Sequence, residues 1–323
     1  MKPAIGFVAA VSAVVLATGC AAGATTKPST TPAATASSVR TISASPAQAS
    51  PRLVVLADGV DGGNGLWSLD ANGKWLALAA TPGATALGET AGGIAIATGH
   101  DIDMRPFSDL THAGTITSLK WSAAAPTAPV VAMDGSPSGK LAIATADEHS
   151  LAYGVAGADG TVTTMAPAPT QSFTPLVAWL DETSLLVLTM DKLQTSRLAV
   201  ARLGDPELMP SASVIGATTF AVSADGQVVA VSTENAVYAA PIGTFLGGSQ
   251  PEQVAALSAS QVVWAISLDA TGTQLFILSG TEAADGTVGS FHEIGYSKTG
   301  STWAKTFDVA APFTRAIGQA SLT

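Results

Sequence analysis

The sequence predicts an all-β fold, a six-bladed β-propeller closed by a C-terminal strand that joins the first blade. Three observations carry the prediction. Apolar runs recur at a period near 44 residues, small residues recur at a fixed place ahead of them, and the chain's last residues offer the strand that the first unit lacks.

The recurring runs are "VVLAD" from Val54, "IAIAT" from Ile94, "LAIAT" from Leu141, "LLVLT" from Leu185, "VVAVS" from Val228 and "LFILS" from Leu275. Their spacings are 40, 47, 44, 43 and 47 residues, a rhythm that suits four-stranded blades. Each run is apolar throughout, where a half-exposed strand would alternate, so both of its faces should be covered. A polar loop and another strand follow each run: "GLWSLD", "DIDMRPF", "SLAYGV", "RLAVARL", "NAVYAAPI" and "SFHEIGY". More polar outer strands come next, as in "KWLALA", "ITSLKW", "TVTTM" and "TWAKTF".

Upstream of the turns lie the innermost strands, "TALGET", "VVAMD", "LVAWLD", "TFAVSA" and "VWAISLD". They converge on a narrow axis, so each needs a small residue. Gly88, Ala132, Ala178, Ala221 and Ala265 fill that place at spacings of 44, 46, 43 and 44. A large side chain there should cost about 1–3 kcal/mol through overpacking. The run at Val54 has no such strand before it. "APFTRAIGQASLT" at the chain's end does, with Gly318 in the small position, so the two ends should pair and hide the sheet edges.

This rhythm, with turns such as Ala224-Asp225-Gly226, resembles bacterial six-bladed propellers of the TolB-like or WD-repeat-like kind over Leu53–Thr323. The Trp-Asp dipeptide of true WD repeats is absent. A pair of β-sandwiches is the alternative with the same number of strands.

Residues 1–19 read as an export signal: Lys2, then an uncharged apolar run from Ala4 to Ala17, shorter than the roughly 20 residues a membrane-spanning helix needs. Ala17, Thr18, Gly19 and Cys20 resemble a bacterial lipobox, with Leu16 one place earlier than usual. That resemblance implies lipidation of Cys20 and anchoring on the extracytoplasmic face of the cell membrane. Cys20 is the chain's one cysteine, which excludes an intramolecular disulfide and Cys-X-X-Cys chemistry. Residues 20–51 comprise that cysteine and an Ala/Ser/Thr/Pro tether too poor in large apolar groups to fold, spanning about 30 Å as a coil. Residues 52–323 form the propeller.

The chain carries 24 acidic against 14 basic residues, a net charge of −10, so it lacks the cationic surface that binds nucleic acid. On a propeller, the loops from outer to next inner strand share a face with those between the second and third strands. Five of the first kind, "AATPGA", "SAAAPTAP", "APAPTQSF", "PSASVIGA" and "LSASQ", have no charged residue. The second kind are acidic. They hold Asp58, Asp61, Asp101 beside His100, Asp147 and Glu148 beside His149, Asp191, Glu234, Glu282 and Asp285, against the single lysine Lys192. Such a rim suits a cationic ligand or a basic partner surface, although Asp and Glu are also ordinary turn residues.

No catalytic signature stands out. "DGVDGGNG" lacks the alternating acids of an EF-hand and reads as a hairpin. "GHD" and "DEH" occupy corresponding loops and could together hold zinc, but solvated histidines are the plainer reading, and no metal or cofactor is expected. There is no G-x-S-x-G elbow and no H-E-x-x-H helix. Trp179 and Trp264 fall on inner strands. They read as wedges between blades, or, with Phe173 from a loop, as a stacking surface at the channel mouth. The expectation is therefore a monomeric, non-enzymatic platform that binds an envelope protein, a peptide or a glycan. A propeller hydrolase or lactonase-like enzyme is the alternative.

Overall fold

The computed structural model describes residues 53–122, 126–147, 151–165, 176–190, 195–205, 207–210 and 214–322. The signal, Cys20 and tether fall outside the described residues, as do Glu148, His149, Phe173, Asp191 and Lys192.

The chain forms six sheets. The first holds β1 (Leu53–Val60), β2 (Gly63–Leu69) and β3 (Trp75–Ala80); the second β4 (Ala86–Thr90), β5 (Gly93–Thr98), β6 (Asp101–Pro106) and β7 (Thr115–Ser118). Next come β8 (Lys120–Trp121), β9 (Val130–Gly135), β10 (Leu141–Ala146), β11 (Leu151–Ala156) and β12 (Thr161–Thr164) in the third. The fourth comprises β13 (Val177–Asp181), β14 (Ser184–Met190), β15 (Ser196–Arg202) and β16 (Leu208–Pro210). The fifth has β17 (Thr219–Val222), β18 (Val228–Ser232), β19 (Ala236–Pro241) and β20 (Glu252–Ala256), with a short helix α1 (Ile242–Leu246) before its last strand. The sixth is β21 (Gln261–Leu268), β22 (Gln274–Glu282), β23 (Val288–Thr299) and β24 (Thr302–Ala310). Finally β25 (Ala316–Ser321) returns to the first sheet, giving the order β25-β1-β2-β3. The innermost strands β25, β4, β9, β13, β17 and β21 contact one another in a closed circuit, so the six sheets are the blades of a propeller.

The continuous apolar runs have a direct physical account. Among the described residues, the buried apolar side chains form six slabs, each between neighbouring blades. Along β1, Val54 and Leu56 enter the slab shared with blade 2, while Leu53, Val55 and Ala57 enter the slab shared with blade 6. Every second strand divides its residues in this way. On β14, Leu185 and Val187 pack toward blade 3 and Leu186 and Leu188 toward blade 5. On β22, Leu275 and Ile277 pack toward blade 5 and Phe276 and Leu278 toward blade 1. A strand buried on both faces has no reason to alternate.

The small positions on the inner strands differ in stringency. At Gly88 a Cβ would lie 2.5 Å from the carbonyl oxygen of Met133 on the next blade, so only glycine fits. Ala132 and Ala178 are buried, and Ala221 and Ala265 half-buried. Gly318 has space: its Cβ would meet Leu87 at 3.8 Å. The axial crowding is thus real between blades 2 and 3 and relaxed where the chain ends meet.

Ring closure follows the expected pairing. β25 runs antiparallel to β1 from Leu53↔Ser321 to Ala57↔Ala316. Asp58 fastens its end: one carboxylate oxygen accepts the backbone N–H of Thr314 at 2.8 Å and of Arg315 at 3.0 Å, and the other accepts the Thr314 hydroxyl at 2.6 Å. Burial pushes this carboxyl up, but those bonds and the Arg315 charge outweigh it and hold the group below its ordinary value.

One segment departs from the sequence reading. "ITSLKW" is not a single outer strand. β7 ends at Ser118, and Lys120 and Trp121 cross to blade 3, where β8 pairs in parallel with β12.

Candidate functional site: the rim face and the channel carboxyls

The turns β1–β2, β5–β6, β10–β11, β18–β19 and β22–β23 join second to third strands, and the alternating strand directions bring them to one face. Asp58, Asp61, His100, Asp101, Asp147, Glu234, Glu282 and Asp285 therefore share the rim. Several of these acids also hold their own loops. Asp101 accepts the Ser118 hydroxyl at 2.5 Å. Asp285 accepts the Thr287 backbone N–H at 3.0 Å and hydroxyl at 2.6 Å. The sixth connection into an inner strand is not neutral like the five quoted above; it carries Arg315, bonded to Asp58. Among the described residues, no three metal-ligating side chains converge.

The two inner-strand tryptophans part company. Trp179 is 5% exposed and wedged between blades 3 and 4, its indole N–H donating to the Asp134 carbonyl at 3.1 Å. Trp264 is 40% exposed. It sits at a bulge, where the pairing jumps from Val263↔Ser279 to Ala265↔Leu278, and a bulge re-aims the side chain it carries. Its indole N–H donates to the Ala316 carbonyl at 3.0 Å, and its ring meets Phe291 edge-on at 5.6 Å and 77°. Ala316 adjoins Arg315 and hence Asp58, and the Glu282 N–H donates to Ser260 at 2.9 Å just before β21 begins. A rigid, exposed indole therefore stands beside the closure seam.

The opposite end of the channel holds a group that the sequence reading passed over. Glu89 and Asp134 are the next-to-last residues of β4 and β9, and Asp269 follows β21. Burial, then the charge of Asp134, raises the Glu89 carboxyl to about 8 against a bond from the Ser321 backbone N–H, with Asp269 adding to the rise. Glu89 thus feels blades 1, 3 and 6 at once, which places it at the axis. Burial raises Asp134 to about 7, against backbone N–H bonds from Trp179, at 2.7 Å, and Gly135. Both keep some exposed area, but protein walls surround them where bulk water would otherwise solvate the charge. Asp269 is tied to its own turn, accepting backbone N–H groups of Thr273 at 2.6 Å and Gln274 at 2.7 Å. At neutral pH, Glu89 is mainly protonated and Asp134 divided between forms, so the pair can both donate and accept a proton. The sequence carries a trace of this: "VVAMD", "VAWLD" and "AISLD" end on an acid, and "ALGET" has one next to last.

Comparison with solved structures places the architecture. A protein of Agrobacterium tumefaciens described as TolB matches with a TM-score of 0.54 at 13% identity, over 83% of this chain and 93% of that one. TolB from Acinetobacter baumannii matches with a TM-score of 0.60 at 12% identity, over 85% of this chain and 67% of that one. The fold is shared with TolB. A Bacteroides uniformis protein described as a 6-phosphogluconolactonase gives a TM-score of 0.46 at 13% identity, over 82% of this chain and 84% of that one. No protein-family model matches the sequence, and no curated protein does.

Proposed function

We propose that this chain is exported, lipidated at Cys20 and held on the extracytoplasmic face of the cell membrane, where its propeller is a platform for an envelope protein, a peptide or a glycan. The observation that carries the reading is Trp264. Large aromatic side chains that are exposed yet already immobilised lose little freedom on binding, and they dominate interface energetics. Trp264 is clamped by Ala316 and Phe291, beside the closure seam on a propeller whose rim loops are acidic. An exposed indole on a propeller with acidic rim loops suits a partner that presents a basic group beside an apolar or sugar face. Among the described residues no helix is long and apolar enough to cross a membrane, which suits attachment through the N-terminal segment.

The test combines location and capture. Cys20→Ala is expected to release the protein from the membrane fraction of intact cells. A photo-crosslinker placed at Ser260, just before the strand that carries Trp264, is expected to trap one reproducible partner, and Trp264→Ala to abolish the capture. Unchanged fractionation of the cysteine variant defeats the anchoring, and a capture pattern indifferent to Trp264 defeats the platform.

A hydrolase reading has one observation in its favour, the channel pair. A protonated Glu89 beside a partly ionised Asp134 is the combination that general acid–base chemistry uses. If it operates, turnover of small lactones or esters falls at least 100-fold in Glu89→Gln and Asp134→Asn. Absence of turnover by the wild-type protein across such a panel ends this reading.

A further inference from the structure

The first and last strands of the ring meet the surface on one face. Leu53, where β1 begins, pairs with Leu69, the last residue of β2, and with Ser321, the last of β25. From there β1 runs to its turn with β2 on the rim, so Leu53 and Ser321 lie on the opposite face, next to the hub. The Ser321 backbone N–H reaches Glu89, which puts this exit beside the acidic end of the channel.

We infer that the anchored propeller turns this exit face to the bilayer and the rim away from it. Trp264 then meets a partner lying about 50–80 Å out from the membrane surface, and not lipid headgroups or a membrane-embedded segment. The inference rests on the reading that Cys20 is the anchor.

Lengths decide the orientation. Residues 21–51 span about 30 Å as a coil. A compact body of the size of residues 53–323 measures about 48 Å across. A chain leaving near the hub of the exit face must run about 75 Å round that body before the rim can meet the bilayer, about two and a half times the coil's span. With the exit face turned down, no detour is needed. The departure point is also fixed: Leu53, Val54 and Val55 are 0% exposed and β1 is paired on both sides, so the exit cannot migrate toward the rim.

Charge does not override the tether. Turns of the exit face carry Asp70, Asp159, Asp181 and Asp225, and the rim is acidic as well, so neither face is drawn onto anionic lipid. An exposed tryptophan can also seat a protein at a bilayer interface. Trp264, however, lies near the rim end of β21, held by Ala316 at the rim end of β25, on the face away from the exit.

The test uses the full lipidated chain in phosphatidylcholine vesicles doped with a rhodamine-labelled lipid. Cys20 carries its lipid on sulfur, so one introduced cysteine takes a donor dye. The positions are Ser260→Cys on the rim and Ala91→Cys in the β4–β5 turn of the exit face, both exposed. Energy transfer to the bilayer is expected to be at least twofold greater from position 91 than from position 260. A second exposed pair, Asn72→Cys on the exit face and Glu234→Cys on the rim, is expected to repeat that order, which keeps the disturbance of one loop from deciding the result. Failure of the protein to float with the vesicles defeats anchoring at Cys20, and the inference with it. Flotation with equal transfer from the two faces, or with greater transfer from the rim, overturns the orientation alone and leaves the anchoring standing.

Discussion

A chain ending at Thr314 is expected to lose its closed ring. The deletion removes β25, the innermost strand of blade 1, and leaves β1 with an open edge. Leu53, Val54, Val55, Leu56 and Ala57 are all 0% exposed in the intact ring, and their slabs lose Ala316 on one side and Ile317, Ala320 and Leu322 on the other. Gln319 also goes, with its bonds to the Ser267 hydroxyl at 3.2 Å and the Phe276 carbonyl at 3.0 Å, which tie blade 1 to blade 6. At about 1 kcal/mol net per hydrogen bond and about 1.5–3 kcal/mol per large buried side chain, the loss is on the order of 5 kcal/mol or more. That is comparable with the whole stability of a typical domain. Thermal melting and size-exclusion chromatography decide the matter: unfolding at ambient temperature, or association through the bare edge, is expected. An unchanged melting temperature with a monomeric profile refutes the closure argument. Asp58→Ala is the milder version, destabilising by about 1–3 kcal/mol because three donors lose one acceptor while the strand remains.

Glu293→Leu is expected to stabilise the protein, and increasingly so as the pH rises. Glu293 lies on β23 opposite Leu278 of β22 and Val309 of β24, which belong to the slab between blades 6 and 1. It is 0% exposed, and neither carboxyl oxygen has a hydrogen-bond partner. Burial raises the group well above the ordinary carboxyl value, so the folded protein keeps it protonated. In the unfolded chain it ionises above about 4.5. Between that pH and its folded value the native state binds more protons, so the wild-type protein loses stability as the pH rises. Asp134, raised from 3.8 to about 7, and Glu89, raised from 4.5 to about 8, act in the same direction over those windows. Leucine removes the Glu293 share of the slope. Replacing an unpartnered buried polar group by a packed apolar one gains about 1–3 kcal/mol. Urea unfolding at pH 5 and pH 8 should show the variant ahead at both and by more at pH 8. A constant gap, or one that shrinks with pH, contradicts the assignment of a buried neutral carboxyl.

The propeller was legible in the sequence because its second strands are covered on both sides. Double coverage turns Val54–Ala57 and Leu185–Leu188 into unbroken apolar runs, and six of these at a steady spacing admit few architectures. Closure was legible because Val54 lacked a preceding inner strand while "AIGQAS" lacked a blade. The site was harder to see. Attention to charge in the rim loops passed over the acids at the opposite strand ends, and only their convergence at the axis makes Glu89 and Asp134 unusual. Trp179 and Trp264 look alike in sequence, yet one is wedged and the other displayed, because a single bulged residue redirects the second. A cleft of about 310 Å³ between blades 1 and 2 was equally hidden. Asp101 reads as a loop acid in the sequence, and only the packing of separate sheets brings Thr81 of blade 1 to the same cleft.

The crossing of Lys120 and Trp121 onto the outside of blade 3 has a mechanical consequence. Backbone bonds from Lys120 to Gly160 at 2.8 Å and from Ser122 to Val162 at 3.0 Å stitch the perimeter of one blade to its predecessor's exit segment. Those two sectors of the wheel are therefore fastened at the tyre as well as at the hub. At about 1 kcal/mol net for each bond, the stitch adds resistance to shear between those two sectors.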